Sequence, residues 1–190
     1  VVFHKSHNSY IYCGLRFKIF TIFCLKELCK LKGSRNDCLF IWRKSMKEFM
    51  KEAIAEAKKA YSDGEVPVGA VIVKDGEIIA KGRNHREQKQ NALSHAEIEA
   101  INSACKTLGS WRLDDCELYV TLEPCPMCTG AIINARIKKV VFGAFDSSMG
   151  CMDSVINLCD YPLGHKVEIY AGICEDECKA LLQDFFQKLR

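Results

Sequence analysis

Glu117-Leu118-Tyr119-Val120-Thr121-Leu122-Glu123-Pro124-Cys125-Pro126-Met127-Cys128 is the stretch on which the fold turns. Its first half reads as a buried strand, Glu117 to Leu122, and its second half opens a helix from Pro126 to about Ala135. Lys139 to Gly143 is the next strand, which gives a strand–helix–strand unit in the middle of the chain. Upstream, Val66 to Val73 and Ile78 to Gly82 read as two strands joined by a hairpin turn at Asp75-Gly76. A polar loop, Asn84 to Ser94, leads to a helix from His95 to about Leu108. Downstream, Ala144 to Gly164 is irregular with one short helix near Asp153 to Cys159, and Val167 to Tyr170 supplies a fifth strand. The final helix, Glu175 to Leu189, is expected to bury Cys178, Leu181, Leu182 and Phe185.

Ahead of the hairpin, Phe49, Met50, Ala53, Ile54, Ala57 and Ala60 recur at helical spacing, so a domain-opening helix runs from about Met46 to Tyr61 and stops at Asp63-Gly64. Strands alternating with helices imply an α/β fold: a three-layer α/β/α sandwich around a mixed, roughly five-stranded sheet. Residues 46–190 form that domain. Residues 1–45 lack clean periodicity and carry 9 Lys/Arg against 2 Asp/Glu, while the remainder carries 18 against 22. The basic character of the chain, net +3, therefore belongs to this first segment. It reads either as a basic RNA-binding tail or as a disordered or non-native extension, and the second reading is the one adopted.

Twelve cysteines in 190 residues could indicate a secreted disulfide scaffold. The alternating helix and strand patterns fit a reduced, cytoplasmic enzyme instead. The longest apolar run, Ile19 to Leu25, is too short to cross a bilayer, and no signal-peptide cleavage site follows it.

Two segments carry chemistry: His95-Ala96-Glu97 and Pro124-Cys125-Pro126-Met127-Cys128. Cys125 and Cys128, three apart on the first turn of a helix, can direct two sulfurs at one metal, and His95 can supply a third donor. Three protein ligands plus water is the pattern of a catalytic zinc site, whereas a structural site is closed by four. Glu97 adds a carboxylate able to carry protons between that water and a leaving group. Because residues i and i+2 of a helix do not share a face, the site must wrap around the helix end. Taken singly, Cys-x-x-Cys also fits a redox pair or half a zinc knuckle, and Cys105 or Cys116 could complete a structural Cys₃His set. Together, and in this order, the segments match the H-x-E…P-C-x-x-C signature of zinc-dependent nucleobase deaminases.

From about Phe49 to its end the chain resembles the bacterial tRNA-specific adenosine deaminases of the cytidine deaminase-like superfamily. The resemblance rests on Glu65-Val66-Pro67-Val68-Gly69-Ala70, Ser94-His95-Ala96-Glu97-Ile98, Leu118 to Cys125, Val140-Val141-Phe142-Gly143-Ala144 and the ending Asp184-Phe185-Phe186. It implies hydrolysis of adenosine to inosine at the wobble position of an arginine tRNA with an ACG anticodon, on a flipped-out base, by a homodimer with one Zn²⁺ per subunit. It assigns His95, Cys125 and Cys128 to the metal and Glu97 to proton transfer. Asn84 would hydrogen-bond the adenine edge, backbone around Ala96 would help place the base, and Asp146 and Phe186 would lie near the anticodon arm.

Other readings stand beside these. Asn84 could simply shape its loop, Phe186 could be core, and Lys188 and Arg190, which the resemblance offers as RNA-facing candidates, could be a solvated helix end. Arg136, Lys138 and Lys139 form a basic cluster that is either a solvated turn or a phosphate contact. The loop Asp146-Ser147-Ser148-Met149-Gly150 lacks the Lys and the Gly-rich stretch common in the family. Two rival functions remain at this point: deamination of a free base or nucleoside, of guanine or cytosine type, and a non-catalytic zinc-stabilised binding module.

Overall fold

The computed structural model describes residues 35–189, with side chains from Ser45 onward. The chain divides into two compact units, Val1–Ser45 and Met46–Arg190. The extension expected over residues 1–45 lies outside the described residues except for the helical backbone from Arg35. Helix α1 (Arg35–Ser62) therefore begins eleven residues before the expected start at Met46. Arg35 to Ser45 contains neither Gly nor Pro, so nothing local interrupts the helix, although its apolar spacing becomes regular only from Met46.

The second unit follows the order β1 (Gly69–Lys74), β2 (Glu77–Arg83), α2 (Ala96–Leu108), β3 (Glu117–Leu122), α3 (Pro126–Asn134), β4 (Lys139–Ala144), β5 (Glu168–Tyr170) and α4 (Glu175–Lys188). The sheet order is β2-β1-β3-β4-β5. β1 pairs antiparallel with both β2 and β3, whereas β3–β4 and β4–β5 are parallel, so the sheet is mixed and five-stranded as expected. Asp75 and Gly76 both take positive φ, 52° and 82°, which the tight hairpin turn requires.

Alternation along the strands sends opposite faces to different helices. Ala70, Ile72, Leu118, Val120, Val140 and Phe142 pack with Ala96, Ala100, Ala104 and Ile132 of α2 and α3. On the other face, Phe49 of α1 stacks on Tyr119 at 5.1 Å, and Cys178 of α4 lies against Gly143. The result is the α/β/α sandwich. Two glycines set how closely the helices approach. A Cβ at Gly69 would collide with the backbone of Ala53 and Ala57 in α1, and one at Gly82 with the backbone of Ala96 and Ala100 in α2.

Beyond the start of α1, two element boundaries and one burial pattern differ from the sequence reading. β1 begins at Gly69 rather than Val66, because Pro67 has no N–H and the Val68 N–H turns back to the Val66 carbonyl at 2.7 Å. The short helix expected near Asp153–Cys159 is a single 3₁₀ turn, Leu158–Asp160. Val155 donates to the Gly150 carbonyl and Leu158 to that of Cys151, spans too long for α-helical bonding. In α4 only Cys178 and Phe185 are fully buried, while Leu181 and Leu182 are half-buried at the edge of the covered face.

Among the described residues, no helix is long and apolar enough to cross a membrane.

Candidate active site

His95 and Cys125 hold equivalent places: each is the residue immediately before a helix, in extended backbone, with no side-chain capping bond. Pro126 follows Cys125 at the first helical position, where its missing N–H has no helical partner to lose. Two helix N-termini are thereby aimed at one point, a setting that favours anionic sulfur and carboxylate.

The three expected donors converge there. His95 Nδ1 lies 3.7 Å from Cys125 Sγ and 3.6 Å from Cys128 Sγ. All three ligand atoms fall within 4.8 Å of one another, and among the described residues this is the group able to hold a metal ion. Hydrogen bonding from Cys128 draws the Cys125 thiol down to about 4 against the opposing effect of burial, and the bond to Cys125 raises the His95 imidazole. One nitrogen and two soft sulfurs suit zinc, and three protein donors leave a coordination position for substrate or water. Neither Cys105 nor Cys116 joins this group, so the Cys₃His alternative has no support among the described residues.

Glu97 meets the requirement that the site wrap around the helix end. Since His95 is extended at φ −74° and ψ 155°, its side chain leaves from outside the helix, and the carboxylate of Glu97 in the first turn reaches the same cluster. Glu97 is 4 % exposed, and burial pushes its carboxyl up to about 7. Its side chain interacts with Cys128 and feels the charges of Cys125 and His95. A buried carboxyl that changes protonation near neutrality suits proton transfer in both directions.

The remaining expected residues are placed less uniformly. Asn84 is buried at the end of β2, with its Nδ2 donating to Glu65 at 3.2 Å. The pairing of His85 N–H with the Ser94 carbonyl at 3.0 Å brings the start of the loop beside His95. Ala96 is fully buried between Glu97 and the Gly82 contact. Asp146 turns its Oδ1 inward, accepting from Ser148 N–H, Ser148 Oγ and Met149 N–H, so in this structure it shapes its own loop. Phe186 is 48 % exposed, which removes the core reading, while Phe185 beneath it is buried against Tyr61. Lys188 folds onto Tyr61 and Asp184. The cluster 136–139 is not one solvated turn: Lys139 is buried and paired with Glu117 at 2.6 Å, and Arg136 donates to the Gly164 carbonyl at 2.5 Å.

Two acidic residues that the sequence reading gave no role organise the surroundings. Glu123, 2 % exposed, accepts from the N–H groups of Asp146, Met152, Asp153 and Ser154 and from the Ser154 hydroxyl. Glu65, 1 % exposed, accepts from Asn84 and from the N–H groups of Glu87 and Gln88. The available signal was an acidic side chain directly beside a buried apolar strand.

Comparison with known proteins agrees with this geometry. A family model for MafB19-like deaminases matches residues 44–190. A tRNA-specific adenosine deaminase of Bacillus subtilis is 53 % identical over 143 residues, spanning 75 % of this chain and 89 % of that protein. A solved structure from a study of A-to-I editing by tRNA:A34 deaminases at the wobble position of transfer RNA matches with a TM-score of 0.70 and 41 % identity, over 71 % of this chain and 99 % of that one. A guanine deaminase structure from Bacillus subtilis matches at a TM-score of 0.50 and 49 % identity, over 52 % of this chain and 63 % of that one. By the identity to the first of these, carried across most of its length, the chain belongs to the tRNA-specific adenosine deaminase family.

Proposed function

We propose that this chain converts adenosine to inosine at the wobble position of tRNA by hydrolytic release of the 6-amino group. The observation that carries the reading is the meeting of His95, Cys125 and Cys128 with a buried carboxyl, Glu97, at two helix N-termini. The likeness to relatives described as tRNA-specific adenosine deaminases favours tRNA over a free base: 53 % identity is carried over 89 % of the Bacillus subtilis relative, whereas the guanine deaminase structure of similar identity is matched over 63 % of its length, and one matched over 83 % of its length is 24 % identical.

His95, Cys125 and Cys128 would hold one zinc ion. Zinc bound there supplies the Lewis acidity that makes water a nucleophile near neutral pH. Glu97 accepts one proton of the attacking water and delivers it to the adenine ring nitrogen; it then takes the second, from the hydroxyl now on C6, and passes it to the amine, so that the C–N bond breaks, ammonia leaves and C6 becomes a carbonyl. Asn84 holds the base edge, and backbone around Ala96 lines the floor of the site. Asp146 and Phe186 belong to the surface that meets the anticodon arm. Bases of an anticodon loop are already unpaired, so drawing one into a pocket costs less than from a duplex.

The substrate is an arginine tRNA with an ACG anticodon, the working form is a cytoplasmic homodimer, and residues 46–190 are the catalytic domain, with residues 1–45 as an extension. Support for a dimer includes the exposed apolar side chains Val155, Ile156, Tyr161 and Leu163 in one loop region. The test is to sequence that tRNA after incubation with the purified, zinc-loaded protein. Inosine reads as G at the wobble position. An unchanged A with folded, metal-replete protein refutes the proposal.

A further inference from the structure

We infer that Glu65 is a positioning residue that fixes the direction of the Asn84 amide and so sets the hydrogen-bonding character of the base-reading wall. The inference rests on the base-binding role proposed for Asn84, and it adds a residue outside the metal centre.

Glu65 lies between α1 and β1, where Asp63 and Gly64 end the helix, and its side chain is 1 % exposed. A carboxyl so buried requires partners. Its Oε1 accepts from Gln88 N–H at 2.7 Å, and its Oε2 accepts from Glu87 N–H at 3.2 Å and Asn84 Nδ2 at 3.2 Å. One side chain thus joins the α1–β1 connection, the end of β2 and the loop that leads to His95. With backbone N–H donors already at both oxygens, this carboxylate presents acceptors alone to its third neighbour. The Asn84 amide must therefore turn its NH₂ toward Glu65. That fixes the amide plane and leaves Oδ1 as the acceptor for a ligand. Among the described residues no hydrogen bond is made to that oxygen. Without Glu65 the amide could flip and offer a donor where an acceptor is needed, and a site built around one polarity discriminates strongly against the reverse.

Further bonds that do not involve Glu65 hold the same loop. Asn84 N–H donates to the Val68 carbonyl at 3.1 Å and His85 N–H to the Ser94 carbonyl at 3.0 Å, so the residue after β2 is held from both sides. Lys89 closes the far end on Glu99 at 2.7 Å. Glu65 is the buried hinge point from which Asn84 is directed.

A double-mutant cycle tests this. Wild type, Glu65→Gln, Asn84→Ala and the double variant are compared for kcat and KM on full-length tRNA with a wobble adenosine, alongside zinc content and melting temperature. Glu65→Gln is expected to lower kcat/KM about tenfold in the wild-type background, the scale of one hydrogen bond to a charged group. In the Asn84→Ala background the same change is expected to cost less than about twofold, because the residue it acts through is gone. Equal losses in both backgrounds overturn the inference, as does loss of zinc that accounts for the whole effect. Should Glu65→Gln fail to fold, Glu65→Asp takes its place in the cycle and is judged by the same criterion. Absence of tRNA deamination in the wild type would instead overturn the proposed function.

Discussion

Gly82 of β2 and Ala100 of α2 meet backbone to backbone, with no room between them for a single methyl group. The contact continues to the Ala96 carbonyl, and Ala96 sits between His95 and Glu97. Gly82→Ala is therefore expected to destabilise the fold by about 3 kcal/mol through overpacking against atoms that cannot yield. Because the displaced element is the start of α2, the variant should also lose metal affinity. Chemical denaturation and zinc titration on the same preparation check both effects.

Glu97 tests the division of labour within the site. Glu97→Ala is expected to keep zinc and to bind tRNA as wild type does, yet to lower kcat by about 10³-fold or more, as removal of a general acid–base does. Metal analysis, RNA binding and an inosine assay read the three properties separately. Full activity in this variant removes Glu97 from the mechanism.

Metal removal gives a second handle. Chelation should abolish turnover, and zinc should restore it. Cys128→Ser should reduce zinc content to well below one per chain, because it removes one of two sulfur donors and, among the described residues, no further cysteine or histidine joins the cluster. Mass spectrometry under native conditions and thermal melting with and without zinc report this, with a higher melting temperature expected when the metal is bound.

Glu123 should prove essential to the loop that follows β4. Glu123→Ala leaves four backbone N–H groups and a hydroxyl without their acceptor and is expected to cost about 3 kcal/mol. Hydrogen exchange is the discriminating measurement: faster exchange should be confined to residues 146–154. Uniform acceleration across the sheet would assign Glu123 to global stability instead.

Phe185 and Phe186 are neighbours with opposite expected behaviour. Phe185→Ala should cost about 3 kcal/mol, since its ring is buried against Tyr61 at 5.6 Å. Phe186→Ala should leave the melting temperature within about 2 °C, a change of a few tenths of a kcal/mol, and weaken tRNA binding. Equal destabilisation by both substitutions would withdraw Phe186 from the RNA surface.

The sequence reading succeeded where information was local. The hairpin is marked by Asp75-Gly76 and β3 by the apolar, β-prone stretch Leu118-Tyr119-Val120, and both stand where they were expected; motif spacing also singled out His95, Cys125 and Cys128, whose side chains the fold brings together. Local pattern also misled: Val66 to Val68 look strand-like until the missing N–H of Pro67 is counted, and the apolar residues of 153–159 suggest a helix that distant acceptors redirect. Glu65 and Glu123 were illegible for a different reason. Their partners lie about twenty to thirty residues away along the chain, so only the folded arrangement turns an ordinary acidic residue into an anchor. Leu181 and Leu182 fit the helical period of α4, yet full burial in that helix is reached at Cys178 and Phe185 while the two leucines stay half-buried.

The pairing of β1 with β3 carries a consequence for synthesis of the chain. His95 arrives with the β1–β2–α2 half and both cysteines with the β3–α3–β4 half, and the antiparallel β1–β3 ladder joins the two. A nascent chain can present a complete set of donors only after Cys128 has left the ribosome and the halves have zipped together. A chain cut short before Cys128 therefore carries His95 without its sulfur partners, and the donor set is shared between two segments that only the β1–β3 ladder brings side by side.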